Sequence, residues 1–128
     1  MLTALDMSPL TADQSRRLSQ IWADPISSVR RARSILRTLA RYRLVRVHVY
    51  ASTRLGQPEN YYTLAPQGYW LLHGPDAPPP TKAHVSPVSI SRQEHTRALA
   101  DAIVQIHLMA RTDGASLSEF YRENALHL

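Results

Sequence analysis

"SSVRRARSILRTLARYRLVRV", residues 27–47, carries seven arginines and no acid. On a helical wheel at ~100° per residue, Val29, Ala32, Ile35, Leu36, Leu39 and Ala40 fall on one side, while Arg30, Arg33, Ser34, Arg37 and Arg41 gather on the other. The stretch is therefore expected to form an amphipathic helix capped by Ser27 or Ser28, with its apolar stripe buried and its arginines in a row along the exposed edge. No Asp or Glu stands four residues away to offset them, so neighbouring guanidiniums repel by about 0.2–0.5 kcal/mol per pair. A helix that needed only solvation would intersperse both signs. The uncompensated row implies a counter-charge supplied from outside.

The flanks set this helix in a pattern. Upstream, Thr11 is an N-cap candidate, Asp13 lies in the first turn, Leu18, Ile21 and Trp22 share a face, and Pro25 ends that helix. Before Pro9 there is room for a turn or two of helix. Downstream, "LVRVHVYAS", residues 44–52, alternates strictly, with Val45, Val47 and Val49 on one face and Arg46, His48 and Tyr50 on the other, the period of a strand. "TRLGQPEN", residues 53–60, has the composition of a hairpin loop, "YYTLA", residues 61–65, reads as the returning strand, and "PQGYWLL" opens a short helix with Pro66 at its first position. This order is that of a winged helix-turn-helix. The expected fold is mainly α with a small β-hairpin (α+β): a winged helix-turn-helix domain over residues 1–73, a Pro-rich connector over 74–91, and a C-terminal helical segment over 92–128. In that last segment Leu99, Ala102, Ile103, Ile106 and Ala110 recur at helical spacing until Asp113 and Gly114.

Composition narrows the function classes. The chain has 128 residues, enough for one modest core, and a net charge of +5, with Lys82 its only lysine. Arginine presents a planar fork that pairs bidentately with phosphate and base edges, whereas lysine is a point charge. There is no cysteine, hence no disulfide and no thiolate metal site. No apolar run approaches the ~18 residues of a membrane span, and the first twenty residues lack the apolar core of a signal peptide. A cytoplasmic, nucleoid-associated protein is expected. From Arg16 to Arg54 ten arginines face one acid, Asp24. That asymmetry is the footprint of a polyanion-binding surface, because neutralising phosphates releases condensed counterions.

In a helix-turn-helix the second helix enters the major groove and its N-terminal residues reach base edges. Ser28, Arg30, Arg31 and Ser34 are thereby assigned to base contact, and Arg33, Arg37 and Arg41 to phosphate or base. Arg54 and Gln57, at the hairpin tip, would lie on the backbone or in the minor groove, and Arg16 and Arg17 near phosphates beside the helix. The expected partner is double-stranded DNA. The stripe Leu99, Ile103, Ile106 and Ala110 has two uses open to it, folding back on the first domain or pairing in a twofold homodimer; a homodimer is expected, because dimers read palindromic sites. Two alternatives stand beside this reading: a protein-interaction adaptor whose arginine face engages an acidic partner without nucleic acid, and a non-specific DNA- or RNA-binding protein.

Catalytic readings are weak. Tyr61 and Tyr62 read as alternate faces of a strand, and no metal-binding histidine pair accompanies them. His48, His73, His84, His95 and His107 show no metal-ligand spacing, Glu94, Asp101 and Glu119 form no evident acid/base pair, and no glycine-rich phosphate loop is present. No enzymatic activity, metal or cofactor is expected.

The runs "PLTADQSRRLSQIW", "RRARSILRTLARYRLVRV" and "YYTLAPQGYWLL" together resemble the N-terminal winged-helix part of the bacterial replication-relaxation family of plasmid and mobile-element proteins, whose members share "LT..QL", "..RLR.L...GLV" and "YYLT..G..LL". The helix with His95, Leu99, Ala100 and Asp101 resembles the family's following "H.LAV.D" helix. The resemblance covers residues 8–72 and, more loosely, 93–110. It implies a sequence-specific DNA-binding regulator of transcription or replication on mobile DNA. Ser15 and Arg16 depart from the pattern, standing where the family has an apolar and a small residue. The helix before Pro9 is short, and no activity is carried over from the nuclease-like acidic domain of longer members.

Overall fold

The computed structural model describes residues 1–51, 59–81 and 85–112. Helix α1 (Leu2–Met7) leads into a two-residue strand β1 (Leu10–Thr11) and helix α2 (Ala12–Leu18), which ends in a 3-10 turn over Ser19–Ile21. Then come α3 (Val29–Arg41), β2 (Val45–Tyr50), β3 (Glu59–Leu64) and α4 (Pro66–His73), and after the connector a 3-10 turn over Ile90–Arg92 runs into α5 (Gln93–Thr112). The fold is α+β, with one three-stranded antiparallel sheet in the order β1-β3-β2.

Strand β1 has no sequence signature, because two residues cannot display a period. Thr11 serves it and α2 together. Its backbone pairs with Tyr61 in the sheet. Its side chain accepts from the Gln14 N–H at 3.1 Å while its own N–H donates to Gln14 Oε1 at 2.9 Å, a reciprocal capping box. Gln14, 2% exposed, also donates through Nε2 to the Arg97 carbonyl (3.2 Å) and to Asp101 Oδ1 (2.9 Å). The amide that starts α2 thus also docks α5.

The core gathers one face from every layer: Leu5 from α1, Leu10 from β1, Leu18 from α2, Ala32 and Leu36 from α3, Val45, Tyr62 and Leu64 from the sheet, and Ala100 and Val104 from α5. Burying an apolar side chain of this size stabilises by about 1.5–3 kcal/mol.

Hairpin pairing runs from Val45 opposite Leu64 to Tyr50 opposite Glu59. The strands are shifted from the sequence expectation at both ends, because Leu44 and Ala65 are used elsewhere. Leu44 N–H donates to the Leu39 carbonyl to close α3, and the Leu44 carbonyl accepts the Ala65 N–H, each at 3.0 Å. Gly68 permits the close approach that follows: a Cβ there would stand 2.0 Å from the Leu44 carbonyl oxygen. Along β2 the buried side changes, from Val45 at one end to Tyr50 at the other, while Val47 and Val49 lie 45% and 56% exposed.

The sheet face bearing His48, Tyr50, Tyr61 and Thr63 is roofed by the connector. Tyr61 Oη accepts the Val88 N–H at 2.8 Å, the Val85 carbonyl accepts from Arg46 Nη1 at 3.2 Å, and Gln93 joins Ala51 N–H (2.8 Å) to the Val88 carbonyl (3.3 Å). Beneath it the Tyr50 and Tyr61 rings meet tilted at 33° with centroids 4.3 Å apart, and the Arg97 guanidinium lies 4.3 Å over the Tyr50 ring. It is the end of the connector, at Val85 and Val88, that lies against the sheet.

Candidate nucleic-acid interface

Helix α3 starts where Ser28, in extended backbone, accepts the Arg31 N–H on its hydroxyl at 3.0 Å. The cap uses one of the two lone pairs of the hydroxyl oxygen and leaves its proton able to donate. Over 13 residues, about 20 Å of axis, the helix buries Ala32 and Leu36 and half-buries Val29, Ile35, Leu39 and Ala40. Arg30, Arg31, Arg33, Ser34, Arg37, Thr38 and Arg41 are all exposed. Arg30, Arg33, Arg37 and Arg41 make the row, with Ser34 beside it. Arg31 sits about 100° around from Arg30, on the flank it shares with Thr38.

Among the described residues none of Arg30, Arg31, Arg33, Arg37 and Arg41 forms an ion pair. The reason lies in where the nearby acids point. A cleft of about 330 Å³ runs between α3, the start of α2 and the hairpin, and its lining includes Arg33, Arg37, Val47 and Asn60 together with the acids Asp13 and Glu59. Asp13 pairs with Arg17 at 3.2 Å, and Glu59 pairs with Arg97 at 3.5 Å. Both carboxylates are paired with guanidiniums other than those of the row, which cancels their charge in part and leaves the row without an ion pair. His48 adds none: burial, and secondarily the Arg46 charge, hold its imidazole below the ordinary histidine pKa, while its Nε2 meets Thr63 Oγ1 at 2.9 Å.

The two arginines assigned to flanking phosphates are not equivalent. Arg17 is held by Asp13 and by Asp101 of α5, so its charge is spent inside the fold. Arg16 is half-buried, and its carbonyl accepts from Ser19 Oγ and Gln20 Nε2. Arg54 and Gln57 lie outside the described residues. Tyr61 and Tyr62 are both buried. Val47 and Asn60, which line the cleft beside the row, were missed by sequence reasoning; alternation puts Val47 on a face without saying whether that face is covered.

On α5 the sides separate. Ala100, Val104 and His107 face the core, while Leu99 and Ile106 are 50% and 42% exposed, with Met109 beside them and Ile103 and Ala110 half-buried. Helix α5 therefore docks on α2 with one stripe and turns the other outward. Among the described residues no helix is long and apolar enough to cross a membrane.

The arrangement to be explained is thus a short-looped helix pair and hairpin presenting unpaired arginines, continuous with a C-terminal helix. The profile of the replication-relaxation family matches it over residues 5–124. The chain belongs to the replication-relaxation family. The match joins the two stretches that carry the resemblance, residues 8–72 and 93–110, through the connector between them. The family ties the chain to replication or mobilisation of plasmids or mobile elements. Searches of curated proteins and of solved structures find no match.

Proposed function

We propose that this replication-relaxation protein binds double-stranded DNA sequence-specifically, with α3 in the major groove, and regulates replication or transcription on a plasmid or mobile element by occupying a site. The observation that carries this reading is the row Arg30, Arg33, Arg37 and Arg41, which spans about 16 Å of helix and forms no ion pair among the described residues. A major groove about 12 Å wide admits such a helix, and bidentate arginine–guanine pairs discriminate by about 1–3 kcal/mol each. Ser28, Arg30, Arg31 and Ser34 are placed at the helix start, where base edges are reached; Arg33 and Arg37 face the cleft toward the hairpin, where a phosphate strand would run. The outward stripe Leu99, Ile103, Ile106 and Ala110 would pair two copies on a palindromic site. The protein would act in the cytoplasm, on the nucleoid, without metal or cofactor.

Titration of duplex binding against salt tests this directly. A surface contacting several phosphates loses affinity steeply with salt, at about 0.9 log units per contact per decade. Arg30→Ala with Arg37→Ala should lower that slope by about 2 and leave the urea unfolding midpoint unchanged, since both side chains are exposed. Unchanged binding by the double variant would refute the assignment. Absence of any salt-dependent duplex binding by the wild type would favour an adaptor for an acidic protein, and equal affinity for all duplexes and for RNA would favour a coating protein.

A further inference from the structure

The turn between α3 and β2 contains an arginine in backbone that favours glycine. Arg43 has φ of +62° and is the only non-glycine residue with positive φ among the described residues. Its N–H donates to the Ala40 carbonyl and the Leu44 N–H to the Leu39 carbonyl, both at 3.0 Å, the two bonds of a left-handed helix end at which glycine bears no Cβ penalty. The packing forces this conformation, because the Leu44 carbonyl is held by the Ala65 N–H and abuts Gly68. A cation at a helix C-terminus is favoured by the helix dipole. Arg41 already supplies one in the last turn, in ordinary helical backbone.

Arg43 is exposed and, among the described residues, forms no ion pair. It lines a cleft of about 480 Å³ with Arg46, Gln67 and Trp70. Ala40 lines both this cleft and the one holding Arg33 and Arg37. The cationic surface therefore continues from the row around the end of α3. Arg46 gives one N–H to the Val85 carbonyl.

We propose that Arg43 is a further phosphodiester contact, gripping the duplex backbone beyond the segment read by α3, and that the strained backbone is the cost of placing a cation there. This rests on α3 being the DNA-reading helix. The test compares wild type, Arg43→Gly and Arg43→Lys in urea unfolding and in binding to a mixed-sequence duplex across a fourfold range of salt. Arg43→Gly should unfold at higher urea yet bind more weakly, with a salt slope smaller by about 0.9, so that it loses about 3.5-fold less affinity than wild type over that range. Arg43→Lys should keep the wild-type slope and gain no stability. Wild-type affinity and slope in Arg43→Gly, or a lower urea midpoint, overturns the proposal. If Arg30→Ala with Arg37→Ala weakens binding while Arg43→Gly does not, Arg43 alone is misassigned; if the wild type binds no duplex, the α3 reading and this contact fall together.

Discussion

Gly68→Ala probes the junction that fixes where α3 ends and β2 begins. In an ordinary helix interior this change stabilises by about 1 kcal/mol. Here the new methyl would stand 2.0 Å from the Leu44 carbonyl oxygen, 3.0 Å from its carbon and 3.3 Å from its Cα. The first distance is roughly 1.5 Å short of a favourable contact, and the obstacle is backbone, which cannot rotate aside. Relief requires Leu44 to move, and that breaks its bond from the Ala65 N–H. Overpacking costs about 1–3 kcal/mol, and an orphaned buried backbone group about 1–3 kcal/mol more. After the propensity gain, a net loss of about 1–5 kcal/mol is expected, centred near 3. For a domain of this size each kcal/mol moves Tm by roughly 3–5 °C, so the variant should melt about 10 °C lower. Trp22 and Trp70 fluorescence during thermal and urea unfolding reads this out. Gln67→Ala, on the exposed side of the same helix, is the control and should stay within about 0.5 kcal/mol of wild type. A Gly68→Ala protein as stable as wild type would refute the close approach and the forced turn that depends on it.

Ser15 is fully buried on α2 and its Oγ has no hydrogen-bond partner among the described residues. Ser15→Ala should therefore stabilise by about 0.5–1.5 kcal/mol, through relief of the unsatisfied hydroxyl and better helix propensity; a lower urea midpoint would contradict this. Burial holds the His107 imidazole below its ordinary pKa, as it does for His48, where the Arg46 charge adds to the effect. The unfolded chain binds these protons near the ordinary value of about 6.5 while the folded chain does not. Stability is then fully present above that pH and is lost as pH falls through the lowered folded values. The urea midpoint should hold steady above roughly pH 7.5 and drop toward pH 5, and His107→Gln should flatten that drop; a midpoint rising with acid would refute the sign.

How far the sequence discloses this molecule depends on the range of each interaction. Helix α3 is legible to within a residue because its period, its Ser28 cap and its charged edge are all local. The hairpin is legible as alternation, but the exposure of Val47 and the burial of Tyr50 are not, since they depend on Arg97 of α5 and on the connector. The connector has no period and meets the sheet largely through its own backbone at Val85 and Val88, which side-chain patterns do not reveal. Of the two partners of Arg17, Asp13 stands four residues before it and is legible as a helical pair, while Asp101 is 84 positions away and is not. Arg43 was hidden for the opposite reason: the clue to a left-handed helix end is normally glycine, and there is none here.

The distribution of acids decides whether the arginine row stays available, and Glu59 allows that to be tested. Its carboxylate borders the cleft with Arg33 and Arg37, but its ion pair is with Arg97, 3.5 Å away. Glu59 is 46% exposed, so the pair with Arg97 contributes under about 1 kcal/mol, and the charge is only partly cancelled. A phosphate entering the cleft would meet that residual negative charge. Glu59→Gln keeps the shape and removes it, so duplex affinity should rise about twofold at low salt, with the gain fading as screening shortens the interaction to less than ~10 Å. Asp76→Asn, on the exposed connector away from the cleft, makes the same change in net charge. Were both variants to tighten binding equally, the effect would belong to overall charge; were Glu59→Gln to weaken binding, Glu59 would be helping to orient the row, and DNA would not approach through this cleft.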